Sequence, residues 1–169
     1  MSGPYYGKYR GTVLDNVDPM MLGRLMVMVS DVLNEMPSTW AMPCLPFAGI
    51  QNGFYAVPAI GSGVWVEFEQ GDPDYPIWTG CYFAVPEEVP LLAHATPPST
   101  QAVVIQTMGQ NTLMISDMQG PTGGILLKSY TGAMISISET GIVISNGQGA
   151  SIVMTGPSVT VNEGALEVT

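Results

Sequence analysis

Residues 101–169 read QAVVIQTMGQNTLMISDMQGPTGGILLKSYTGAMISISETGIVISNGQGASIVMTGPSVTVNEGALEVT. Apolar side chains recur in this stretch as i, i+2 pairs: Val103/Ile105, Leu113/Ile115, Ile125/Leu127, Ile135/Ile137, Ile142/Ile144, Ile152/Met154, Val159/Val161 and Leu166/Val168. Period two is the signature of a strand with one face turned to an interior. Gly124, Gly132, Gly141, Gly149, Gly156 and Gly164 punctuate the pairs at intervals of 7–9 residues. The pattern predicts eight short strands, each offering one apolar edge and turning about every eight residues. A unit that small has no interior of its own and must stack along an axis. A single-chain solenoid with coils of about 20 residues would hold only about three coils here. Three chains wound together triple the stack and let strand edges pair with neighbouring chains, which removes open edges. An intertwined trimeric β-helix over residues 101–169 is therefore the expected arrangement. Its predicted core comprises the pairs from Leu113 to Val168.

Working outward, the chain changes character near residue 100. Residues 1–100 hold 13 of the 18 charges, 12 of the 14 prolines and all three tryptophans. The segment AVPEEVPLLAHATPPST, residues 84–100, contains four prolines and two adjacent acids, and is expected to be a stiff extended linker rather than a helix. Residues 1–83 carry five strand-like runs, GKYRGTVL, GRLMVMVSDV, STWAMPCLPF, GVWVEFEQ and PIWTGCYF, each bounded by Gly, Pro or Asp. Alternation is clearest at Val64, Val66 and Phe68 against Trp65, Glu67 and Glu69. No helix is expected. Five strands in about 80 residues fit a small, partly open barrel of the OB type, with a sandwich as the alternative. The fold class is all-β.

Composition narrows the function. The 169 residues are 46% hydrophobic and 11% charged, against about 25% charged in a typical soluble domain. Mean hydropathy is +0.27. So few charges would leave a lone subunit poorly covered, which points to surface buried between subunits and excludes disorder. Four basic residues against fourteen acids leave a net charge of −10, which repels nucleic-acid phosphates. No run reaches the ~18 apolar residues of a membrane span. The N-terminal MSGPYYGKYRG lacks the apolar core of a signal peptide, so the expectation is assembly in the cytoplasm without one. Cys44 and Cys81 read as ordinary buried thiols.

Candidate chemistry is thin. Asp72 and Asp74 could pair as acid and base, but Asp-Pro and Asp are turn residues where a strand reverses. His94 has no Cys or acid at ligand spacing and is expected on the surface of the linker. Glu67 and Glu69 are expected in solvent or in contact with Arg24 or Lys8 of another subunit. Trp40, Phe47, Phe54, Tyr55, Trp65, Trp78 and Tyr82 could form a stacking platform, but read mainly as core and subunit contacts. No catalytic residue, cofactor or metal site is expected.

The residues also carry a resemblance. KYRGTVLDNVDPMMLGRLMVMV resembles the start of the OB domain of contractile-tail spike proteins: the phage baseplate spike, the VgrG spike of type VI secretion and the spikes of extracellular contractile injection systems. GSGVWVEFEQGDPDYPIWTGCYF is similar to the second half of that domain, carried by Gly61, Gly63, Val66, Phe68, Gly71, Asp72, Pro73, Pro76 and Gly80. VTVNEGALEV is similar to the last rungs of the family's β-helix. The resemblance implies a homotrimer with an OB collar and a β-helical needle. It implies a hub protein at the tube end, a PAAR-type tip protein at the C-terminal end, and transient contact with the target membrane during sheath contraction. With Met1 only a few residues before the first OB strand, the hub is expected on a separate chain. The linker is too short for an inserted lysozyme domain. The function so implied is a structural, non-enzymatic spike of a virion or tail-like particle. A β-solenoid adhesin or carbohydrate-binding module is the alternative, and a cell-wall hydrolase ranks third.

Overall fold

The structure, a computed structural model, describes residues 4–168. The chain divides into two compact units, one ending at Pro86 and the other starting at Glu87. In the first, strands β1 (Tyr9–Asp15), β2 (Met26–Met28), β3 (Met42–Pro43), β6 (Gly63–Phe68) and β7 (Pro76–Tyr82) form one sheet in the order β2-β1-β6-β7-β3. A separate ribbon joins β4 (Ala48–Gly49) to β5 (Asn52–Gly53). The Leu25–Ala41 bridge ties the β2 side of the sheet to the segment leading into β3, through hydrogen bonds of 3.1 and 2.7 Å, and so curls the sheet towards closure.

The period-two pattern places Val64, Val66 and Phe68 inside, with Val13, Leu25, Val27, Val29, Ala41 and Trp78. Trp78 keeps its polar end satisfied by donating from Nε1 to the Gly23 carbonyl at 3.0 Å. Tyr5, Tyr9 and Phe68 close one side of the core as a ring cluster with centroids 5.6–6.2 Å apart.

Three expectations are corrected here. The run 23–32 is a strand only over Met26–Met28, because Ser30–Leu33 turns into a four-residue helix, α1. The run 38–47 forms a strand only over Met42–Pro43, next to the isolated Ala41 bridge, since Pro43 and Pro46 offer no N–H to extend a ladder. The segment 84–100 is not extended throughout. A helical turn at Pro86–Glu88 is followed by a one-turn helix, α2 (Leu91–His94), which Pro90 starts with its fixed φ of −53°.

The second unit is one eight-stranded antiparallel meander. Its strands are β8 (Ala102–Gln106), β9 (Thr112–Ser116), β10 (Gly124–Lys128), β11 (Met134–Ser138), β12 (Gly141–Ser145), β13 (Ser151–Thr155), β14 (Ser158–Val161) and β15 (Leu166–Val168). Each strand hydrogen-bonds to its sequence neighbours in the same chain, the edge strands β8 and β15 to one neighbour each. This departs from the expected pairing of strand edges with neighbouring chains, and the connections explain why. Two-residue turns at 139–140 and 156–157 can join only adjacent antiparallel strands, at little closure cost. At about 4.8 Å per strand, eight strands span about 34 Å.

Candidate functional site

Strand register assembles the apolar pairs into two unbroken columns on one face of this meander. One runs Val103, Ile115, Ile125, Ile137, Ile142, Met154, Val159, Val168; the other runs Ile105, Leu113, Leu127, Ile135, Ile144, Ile152, Val161, Leu166. Every cross-strand neighbour of a column residue is another column residue, the pairing that stabilises a sheet most. No ionisable group interrupts either column. The side chain of Val168 lies outside the described residues.

In the single chain this face has no cover. Leu127 is 47% exposed and Ile135 40%, while Leu113, Ile142, Met154, Val159 and Val161 are only half-buried. On the opposite face Thr112, Met114 and Ser116 are buried. A pair of open apolar columns is far larger than the scattered exposed side chains of an ordinary monomer, and such a surface marks an interface.

Glycines set the spacing. Gly124 and Gly141 open β10 and β12 with φ of +83° and +142°, and a Cβ at either would overlap a carbonyl of the next strand, that of Ile137 or Met154. The strands of residues 124–157 repeat as two hairpin units of 17 residues, GILLKSYTGAMISISET followed by GIVISNGQGASIVMTGP, with loops of five and two residues alternating. The Cα of Gly147 lies beside Gly132, so successive five-residue loops stack tightly on one edge.

In the OB unit the residues of the sequence motif shape the β6–β7 hairpin. Gly61, with φ +88°, turns into β6, and Gly63 leaves room for the Tyr82 ring, 2.7 Å from where a Cβ would stand. Val66 and Phe68 are core. Gly71, with φ +79°, accepts the Tyr5 N–H at 2.8 Å and leaves no space for a side chain against Pro4. Asp72 Oδ1 accepts the Asp74 N–H at 3.0 Å across Pro73, closing a turn, and both carboxylates face solvent. Pro76 is buried at the start of β7. Gly80 takes φ +148° where the β6–β7 register shifts.

Lys8 pairs with Glu67 at 2.7 Å within the chain, where solvent or a contact with another subunit is the expectation for Glu67, and Arg24 pairs with Asp18 at 2.6 Å. Arg10 lies over Trp65 and Tyr82, and Arg24 over Trp40, so these rings are already capped by guanidinium groups. Trp78 is core, whereas Phe47, Phe54 and Tyr55 are exposed. Cys44 and Cys81 are exposed free thiols, which corrects the buried reading. The two-residue β3 leaves the wall of a groove beside Leu45 and Phe54 uncovered. His94 ends α2 at the surface. Among the described residues no cluster of His, Cys, Asp and Glu could hold a metal ion, and no helix is long and apolar enough to cross a membrane.

Sequence reasoning missed Asp18. Its carboxylate is buried and accepts the Arg24 guanidinium and the backbone N–H groups of Met20, Leu22 and Arg24. Hydrogen bonding to Arg24, and then to those amides, outweighs burial and holds the carboxyl well below the ordinary carboxylate range. The stability it contributes is full above the unfolded-state pKa of about 3.9 and is lost as pH falls towards the folded value. Asp18→Asn should therefore flatten the acid limb of the stability curve below about pH 4. Thermal melts between pH 2 and 7 check this, and an unchanged acid limb in the variant would refute the assignment.

Two family matches fall on these two units. Residues 9–83 match the type VI secretion system/phage-baseplate injector OB domain, and residues 102–167 match the phage baseplate V C-terminal trimerisation domain. The chain belongs to the VgrG and phage-baseplate spike family. Relatives within that family include the actin cross-linking toxin VgrG1 of Vibrio cholerae serotype O1, 39% identical over 89 residues, covering 52% of this chain and 8% of the toxin. The type VI secretion system spike protein VgrG3 of Vibrio cholerae serotype O1 is 36% identical over 89 residues, 52% of this chain and 9% of VgrG3. The spike protein VgrG1c of Pseudomonas aeruginosa is 39% identical over 74 residues, 43% of this chain and 10% of VgrG1c. The chain thus spans about a tenth of the length of these curated relatives. The two columns lie on the matched trimerisation domain, which supports a homotrimer as the assembly that covers them.

Proposed function

We propose that this protein is the structural central spike of a contractile tail or injection particle. Three copies join column face to column face, with the OB units as a collar towards a hub at the tube end. The needle leads into the target envelope when the sheath contracts, with a PAAR-type protein on its C-terminal end. The carrying observation is the pair of apolar columns, open to water in one chain and lying on a matched trimerisation domain.

The physics suits a part that works under load. Each chain completes its own hydrogen-bond ladder, so no strand relies on a neighbour for backbone pairing. The three faces then share one apolar interior, and unfolding any chain exposes the columns of the other two. That coupling favours slow unfolding, which governs survival under force. The work is mechanical rather than catalytic, since Asp72 and Asp74 are spent on a turn and His94 sits at the end of a one-turn helix.

Light scattering on the purified protein should give about 54 kDa, three times the 17.9 kDa chain. A well-folded sample at the mass of one chain would overturn the reading. In the producing host, deleting the gene should leave particles that no longer permeabilise target cells.

A further inference from the structure

A second apolar surface lies on the OB unit. From Met36 through Val66 the chain carries no charged residue. The structure puts much of that stretch outside, and most of all on the β4–β5 ribbon. Ile50, one of the two residues at the ribbon's turn, is 95% exposed, with Phe47 at 59% and Tyr55 at 66%. Turns of this kind favour Gly, Asn and Asp, and an isoleucine there has no role within its own chain. Gln51, beside it, adopts the left-handed φ of +59° that the turn needs.

Next to the ribbon stands the loop that Asp18 organises. Its carboxylate is the only charged side chain between Asn16 and Gly23, and it is turned inward. What the loop presents outward is Met20 at 62%, Met21 at 82% and Leu22 at 47% exposure. Met21 is held at φ +54°, an unusual conformation for a methionine. The loop adjoins the segment that leads out of the ribbon. A Cβ on Gly23 would stand 3.3 Å from the Tyr55 ring, and Asn16 Nδ2 donates to the Pro58 carbonyl at 2.9 Å. A buried ion pair thus fixes a loop whose outward side chains are apolar, beside a ribbon tipped by isoleucine.

Charge selects the occupant. Residues 1–86 hold three cations and eight acids, a net −5 in each copy. Lys8 and Arg24 are paired within the chain, and Arg10 rests on Trp65 and Tyr82. Copies of this unit gathered about one axis therefore repel each other on any acid-bearing face and have few cations to offset it. The uncharged face is where they can approach closely. We propose that the loop Asn16–Gly23 and the β4–β5 ribbon form the contact between OB units of neighbouring copies, with Ile50 as its anchor. The inference rests on the homotrimer reading.

The test is methionine oxidation on the full-length protein, with hydrogen peroxide as probe and peptide mass spectrometry as readout. In a sample of trimer mass, Met20 and Met21 should oxidise at least tenfold more slowly than a free methionyl peptide in the same tube. Ile50→Glu, at a site almost fully in solvent, should keep the trimer mass and bring both residues close to the free-peptide rate. Trimer mass with rapid oxidation of both residues in the unaltered protein overturns this inference alone. Protection that arises only in assembled particles assigns the face to the hub and likewise overturns it. A one-chain mass removes the trimer reading and takes this inference with it.

Discussion

Ile135→Asp should abolish the trimer. Ile135 sits mid-column with Leu127 and Ile144 as its cross-strand neighbours, and nothing polar lies in either column to receive a carboxylate. Assembly would bring three such groups into one apolar interior. An isolated ionised carboxylate is among the costliest groups to bury, and the chain avoids that cost by not assembling. The neighbouring Ser136 points to the other face, so Ser136→Asp provides the control and should assemble normally. Light scattering at pH 7 decides the matter. An Ile135→Asp sample of trimer mass would show that the columns do not meet in the assembly.

Gly124→Ala should be among the most damaging single-methyl changes in the needle strands. A Cβ there overlaps the Ile137 carbonyl oxygen and stands 3.2 Å from the Ser138 Cα, both backbone, so no side chain can swing away. The φ of +83° adds strain of its own, of order 1–3 kcal/mol. Parting β10 from β11 then weakens hydrogen bonds along that ladder. Gly149→Ala isolates the conformational part, because φ there is +101° but nothing lies within 4 Å. We expect Gly124→Ala to lower the melting temperature by about 10 °C or more and Gly149→Ala by only a few degrees, on the usual scaling of about 2–4 °C per kcal/mol for chains of this size. Both substitutions occur three times per trimer. Equal shifts in calorimetry would mean that the close approach at Gly124 does not limit stability.

Side-chain periodicity alone makes the columns legible, because period two forces Ile135 and Ile137 onto one face whatever the strands pair with. The pairing partner was a separate matter, and connection length decided it. Glu139–Thr140 and Gly156–Pro157 are too short for anything but a hairpin, so the ladder closes within the chain. An average of one strand per eight residues concealed the alternation of long and short loops, which appears once residues 124–140 are set above 141–157. In the OB unit, Val64, Val66 and Phe68 announced the core through alternation. The truncation of β2 and β3 was harder to read, since prolines and a one-turn helix interrupt runs of suitable composition. The Asp18–Arg24 pair had no signal at all. Six residues apart in a loop, they follow no helical or strand rule, and only the folded backbone shows why both are there.

The hairpin unit of 17 residues also constrains how such a shaft can vary. Inserting or removing one complete unit changes its reach by two strands, about 9–10 Å, and returns the chain to the same edge, heading and facing, so every later rung still fits its counterparts. A segment of half that size would reverse the polarity of all that follows and put a tight turn where a roomy loop is stacked. Length in this architecture therefore comes in discrete steps, and a relative that reaches deeper should differ by whole multiples of the unit.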